Sequence, residues 1–161
     1  MASSAQLAHL PAISAHEREE SGRQLQATLV ELVDLSLLGK QLHWNVIGTH
    51  FRELHLQLDE LVDSWRELSD TVAERAVAIG HAPDGQSATI AGAVASIETG
   101  PLADHVVVRE LTTRLAEVCE RVRARMDRLG EIDAASQDVL IEVLRELEKQ
   151  LWMARVQLAA G

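Results

Sequence analysis

HWNVIGTHFRELHLQLDELVDSWRELSDTVAE, running from His43 to Glu74, carries two histidines and three acids at informative spacing: His43, His55, Asp59, Asp70 and Glu74. From Thr49 onward apolar residues recur at helical spacing and no proline intervenes, so the stretch reads as one long helix. With His55 at zero and about 100° per residue, Asp59 falls at about 40°, Asp70 at about 60° and Glu74 at about 100°. Four potential ligands therefore share one face. They cannot meet at one ion within one chain, because His55 and Asp70 are separated by about 22 Å along the axis. A second copy resolves this, since the positions are palindromic about the boundary between Ser64 and Trp65. Packed antiparallel on itself across a two-fold axis, the helix sets His55 opposite Glu74 and Asp59 opposite Asp70, each pair drawn from two chains. A tight helix–turn–helix at Gly48-Thr49, midway between His43 and His55, brings those histidines side by side. The candidate site is His43, His55 and Asp59 of one subunit with Asp70 and Glu74 of its mate.

The rest of the chain supports a helical bundle around this stretch. Its 161 residues suit one domain with a substantial core, and 47% apolar with 25% charged residues is ordinary globular composition. No apolar run is long enough to span a membrane, and the N-terminus lacks the basic start and apolar stretch of a signal peptide. A single cysteine, Cys119, excludes an internal disulfide framework and suits a cytoplasmic location. A formal charge of −10 opposes nucleic acid and favours cationic partners.

Residues 1–13 are small and polar around Pro11 and read as a mobile tail, with His9 and, just beyond it, His16 as solvated side chains. Ser14 and Glu17 fit a capping box that opens a first helix running to about Ile47. That helix has two apolar stripes, Leu25, Leu29, Leu32 and Val30, Val33, Leu37, which implies burial on more than one side. Gly48 is placed to end it in a left-handed conformation and Thr49 to cap the second helix, which continues to about Ile79. Residues 80–103, rich in glycine with Pro83 and Pro101, read as two loops flanking a short helix near 88–97. A connection of this length can cross from one end of a bundle to the other. The third helix starts near Asp104, bears Leu111, Leu115, Val118, Val122, Met126 and Leu129 on its inner stripe, and ends at Gly130. Asp133 can cap the fourth, whose inner stripe is Leu140, Leu144, Leu147, Leu151, Ala154 and Leu158. Four long helices, one long crossover and no strand pattern predict an all-α, ferritin-like four-helix bundle forming a single domain over 1–161.

Bundles of the di-iron type build their site within one chain from Glu-x-x-His motifs. This sequence contains no Glu-x-x-His. The His55/Asp59 and Asp70/Glu74 pairs remain as the metal face. Acids on a long helix are ordinarily solvated, but two palindromic pairs beside a hairpin-related histidine are hard to obtain by chance, and Leu58, Leu61 and Val62 border the face. Three carboxylates gathered at a contact repel, about 4 kcal/mol for one pair at ~4 Å and an effective dielectric near 20. A divalent cation relieves that. Imidazole with carboxylate and no thiolate suits iron, zinc or manganese alike. Trp44 would set an oxidisable ring beside such a site, or else pack at the interface. Lys40, one turn before His43, is expected to reach solvent rather than pair with the acids. No role is assigned to His50, His81 or His105.

Lys40-Gln41-x-His43-Trp44-Asn45-Val46, Phe51-x-x-Leu54-His55-x-x-Leu58-Asp59 and Asp70-x-x-Ala73-Glu74-Arg75 together resemble the signature of the Dps miniferritins, the DNA-binding proteins from starved cells. The resemblance covers almost the whole chain, including the helix order and Leu151-Trp152. It implies a hollow homo-dodecamer with ferroxidase centres at two-fold interfaces, formed by the five residues named above. It further implies oxidation of Fe(II), preferentially with hydrogen peroxide, storage of a ferric oxyhydroxide core and protection of DNA from hydroxyl radicals. Three-fold pores lined by acids are also implied, for which Asp133, Asp138 and Glu142 stand at matching spacing. Asp133 is otherwise a helix cap and the other two exposed surface.

The tails depart from those of DNA-binding Dps members, which carry flexible Lys/Arg-rich extensions. Here the first 17 residues contain neither Lys nor Arg, and nothing charged follows the last helix. Twelve chains at −10 carry about −120, which repels phosphate, so direct DNA binding is expected to be weak or absent in a protein of the cytoplasm or its nucleoid. The competing reading is a nucleoid-compacting structural protein in which metal only staples the dimer.

Overall fold

The computed structural model describes residues 9–92 and 96–158. Helix α1, Ala15–Asn45, opens on the expected capping box: the Ser14 hydroxyl accepts the Glu17 N–H at 3.2 Å, and the Glu17 carboxylate accepts the Ser14 N–H at 2.6 Å. A two-residue strand β1, Val46–Ile47, leads into helix α2, Phe51–Ala78. Then follow a short helix α3, Ser87–Ala91, strand β2, Leu102–Ala103, and helices α4, Asp104–Leu129, and α5, Ala134–Leu158. The four long helices form the ferritin-like bundle, α1 packing chiefly on α2 and α4 on α5, with the crossover between α2 and α4 joining the two hairpins.

The core is aliphatic and runs the length of the bundle, from Leu25 and Ile79 to Leu54 and Val107. Its widest member is Trp65, fully buried at the middle of α2, whose indole N–H donates to Gln150 of α5 at 2.7 Å. Gly39 makes room for it. A Cβ there would lie 2.6 Å from Val62 and 2.7 Å from the Trp65 ring, so α1 and α2 approach closely only because that side chain is absent.

Several local expectations are corrected. The first helix stops at Asn45 rather than Ile47, because Val46 and Ile47 pair in parallel with Leu102 and Ala103, a ladder between distant segments that no local pattern announced. Thr49 does not cap α2. The N-cap is His50, and its N–H is bound by Asp104 of α4. The short crossover helix ends at Ala91, residues 93–95 lie outside the described residues, and 96–99 are not helical. Of the stretch read as a mobile tail, residues 1–8 lie outside the described residues. Leu10 lies against Gly80 and Ile13 packs on the core. On α5, Val143 and Gln150 are buried, whereas Leu158 is exposed. Among the described residues no helix is long and apolar enough to cross a membrane.

Candidate metal centre

The site is built on the α1–α2 hairpin. Gly48, at φ +128°, turns the chain between β1 and α2 where an L side chain would be strained. The returning helix sets His55 against His43: the rings stack with centroids 3.6 Å apart and planes 21° from parallel, and Phe51 lies 5.0 Å beyond. Each imidazole binds the other's main chain. His43 Nδ1–H donates to the His55 carbonyl at 2.8 Å, and His55 Nδ1–H donates to the His43 carbonyl at 3.1 Å. A carbonyl only accepts, so each Nδ1 carries a proton, and in the neutral ring the lone pair then lies on Nε2. That is the tautomer of a metal ligand steered by a backbone acceptor.

Asp59 follows His55 by one turn and is the acid that lies nearest the two histidines. Its Oδ1 lies 3.3 Å from His43 Nδ1 and 2.6 Å from Lys40 Nζ. Lys40 therefore pairs with the acid, against the expectation that it reaches solvent. The hydrogen bond and ammonium charge of Lys40 hold the Asp59 carboxyl below the usual range despite some desolvation. His43 is buried, and His55 and Asp59 are half-buried.

Asp70 and Glu74 are exposed further along α2, where nothing in the same chain brings them to the histidines. Among the described residues no three His, Cys, Asp or Glu side chains of a single chain converge as a cation site. Trp44 is 68% exposed, and Lys40 Nζ stands 6.0 Å from its ring centroid. Of the three acids at the start of α5, Asp138 and Glu142 are exposed. Asp133 is buried and serves the bundle: its carboxylate accepts from Arg75 Nη2 at 2.8 Å, from the Ser136 hydroxyl at 2.5 Å and from the Ala135 N–H at 3.2 Å. Cys119 is buried and its thiol is pushed up to about 11, chiefly by desolvation, which keeps it protonated and inert. His81 packs on Gly22 of α1, and His50 and His105 flank Asp104.

The family profile described as a ferritin-like domain matches residues 22–160. A "DNA protection during starvation protein" of Mycolicibacterium smegmatis is 32% identical across 94% of this chain and 84% of that protein. The chain belongs to the Dps family. A second Dps relative, "DNA protection during starvation protein 2" of Deinococcus radiodurans, is 34% identical over 91% of this chain, though the match spans only 61% of that longer protein. Among solved Dps structures, one from Mycobacterium smegmatis superposes with a TM-score of 0.88 at 30% identity, covering 92% of this chain and 91% of that one. Dps from Microbacterium arborescens, described as in the high iron form, gives 0.88 at 30% identity over 93% and 99%.

Proposed function

We propose that this Dps chain oxidises Fe(II) and stores the ferric product, with centres made by His43, His55 and Asp59 of one subunit and Asp70 and Glu74 of another. The observation that carries the reading is the reciprocal Nδ1–H···O=C pairing of His43 and His55, which commits each Nδ1 to the hairpin's main chain and leaves Nε2 as the nitrogen for a metal, with Asp59 Oδ1 3.3 Å from His43 Nδ1. Two imidazoles and carboxylates, with no thiolate, are a donor set that ferrous iron accepts. The palindromic spacing of Asp70 and Glu74 supplies the remaining oxygens once two copies of α2 lie antiparallel. Iron is the substrate here. Two Fe(II) ions each give one electron to a peroxide, whose O–O bond breaks, and hydrolysis of the two Fe(III) ions deposits oxyhydroxide and releases protons. The chain's own part is to orient both imidazoles, to keep Asp59 ionised through Lys40, and to gather acids whose mutual repulsion a cation relieves. The family relationship and the high-iron Dps neighbour support iron storage, and a shell of twelve chains is the assembly proposed to hold it. Asp138 and Glu142 are the acids available to line an iron-entry pore. Asp133, engaged by Arg75, is better placed to hold α5 in position. A cytoplasmic protein that guards DNA by removing Fe(II) and peroxide, without gripping it directly, fits the acidic charge.

Anaerobic addition of Fe(II) followed by peroxide tests this. Wild type gives a rapid ferric absorbance, and a His43→Ala/His55→Ala variant loses at least ~90% of that rate. A double variant oxidising at the wild-type rate, or a monomer doing so, overturns the shared-centre reading. Strong retardation of plasmid at low salt would instead favour a DNA-compacting role.

A further inference from the structure

We infer that Asp104 is a positioning residue of the metal half-site: its carboxylate, delivered by the crossover, holds the α1–α2 turn in the conformation that sets His43 against His55. The inference rests on the iron-oxidising reading above. Helix α2 begins without a side-chain cap of its own, so the donors of its first turn need an outside acceptor. Asp104 provides one. Its Oδ2 accepts the His50 N–H at 3.2 Å, while its Oδ1 accepts the His105 N–H at 2.8 Å in its own helix. One carboxylate thus closes the start of both α2 and α4. The two N–H donors keep it ionised, holding its carboxyl below the usual range.

Contact with the turn is direct. A Cβ on Gly48 would lie 2.7 Å from Asp104 Oδ2, so backbone and carboxylate meet with no side chain between them. The parallel pairing of Val46 with Leu102 and of Ile47 with Ala103 delivers Asp104 to this place. The two flanks of the turn carry the histidines, and their stacking depends on main-chain register. Each Nδ1–H reaches a carbonyl of the opposite flank, so a slip of the hairpin breaks both bonds together and frees both tautomers. Asp104 touches neither imidazole ligand, and it acts through the turn.

Co(II) is a suitable probe of the intact protein, since it takes iron's donor set and its absorption bands report the ligand field. Wild type, Asp104→Ser, Asp104→Asn and a control, Val118→Ala in the buried face of α4, are titrated with Co(II) and melted. Serine is too short to reach the His50 N–H, whereas asparagine keeps one oxygen for it. The expected result is a half-saturating Co(II) concentration at least ~10-fold higher for Asp104→Ser, an intermediate value for Asp104→Asn, and a Tm for both no lower than that of the control. Asp104→Ser binding Co(II) like wild type, or losing no more affinity than Val118→Ala, overturns the inference. So does an Asp104→Ser chain that fails to fold, which would make Asp104 a determinant of the bundle rather than of the site. Wild type that takes up no Co(II) fails the iron reading itself, a distinct outcome.

Discussion

Lys40 shows how a single side chain tunes the half-site. Its ammonium satisfies Asp59 at 2.6 Å and so competes with any incoming cation for the same carboxylate. Both side chains remain partly in solvent, where such a pair is weak. Lys40→Met should therefore tighten Co(II) binding by about 2- to 5-fold, read by titration, and Asp59→Asn should weaken it in both backgrounds. The grouping of His43, His55 and Asp59 was legible in the sequence because helical periodicity fixes which residues share a face: His55 and Asp59 lie one turn apart, and Gly48 brings His43 back to them. The partnership of Lys40 with Asp59 was not, since a flexible four-carbon stem one turn from His43 can point to either side. Only the packing of α1 on α2 selects the direction.

At the scale of elements, boundaries depending on neighbours in sequence were readable and those depending on distant ones were not. The Ser14/Glu17 box is complete within four residues. By contrast β1, β2 and the capping of α2 join residues more than 50 positions apart, and neither Val46-Ile47 nor Thr49 carries a local sign of it. The start of α5 combines both kinds. Asp133 caps it locally but also binds Arg75 across the bundle, a pair whose side chains are 5% and 19% exposed. Burial raises the Asp133 carboxyl, and the hydrogen bonds from Ser136 and Arg75 outweigh that and hold it below its ordinary value of 3.8. A folded-state value below the unfolded one means the stabilisation is present above pH 3.8 and is lost as pH falls through the folded value. Asp133→Ala should cost about 2–4 kcal/mol in urea unfolding at neutral pH, less than a fully buried pair because Arg75 keeps some solvent. The difference from wild type should stay level from about pH 7 to 5 and shrink only below the ordinary carboxylate range.

At the scale of the whole molecule, the proposed site needs a second copy. If each centre borrows Asp70 and Glu74 from a neighbour, defects in the two halves complement each other. His55→Ala and Glu74→Ala, inactive as separate preparations, should regain about one quarter of wild-type ferroxidase activity when unfolded, mixed in equal amounts and refolded together, because random pairing leaves that share of centres intact. No recovery would place the whole site within one chain. Leu37 and Trp44, seven residues apart on α1 and 60% and 68% exposed, offer apolar surface that a second copy could cover. Trp44→Glu should therefore yield smaller species on native mass measurement and lose oxidation with them. The second apolar stripe of the first helix, Val30, Val33 and Leu37, is half-buried at its two valines and exposed at Leu37.

The three indoles offer a way to watch this happen. With no tyrosine and three tryptophans in the chain, ultraviolet emission comes from Trp44, Trp65 and Trp152 alone. Trp65 is already sheltered to 0%, whereas Trp44 and Trp152 stand in water at 68% and 57%. Dilution that separates the subunits should redden the fluorescence while leaving a short-wavelength component from Trp65, and reassociation should restore the blue. The chain carries its own optical gauge of association, readable without label, metal or substrate.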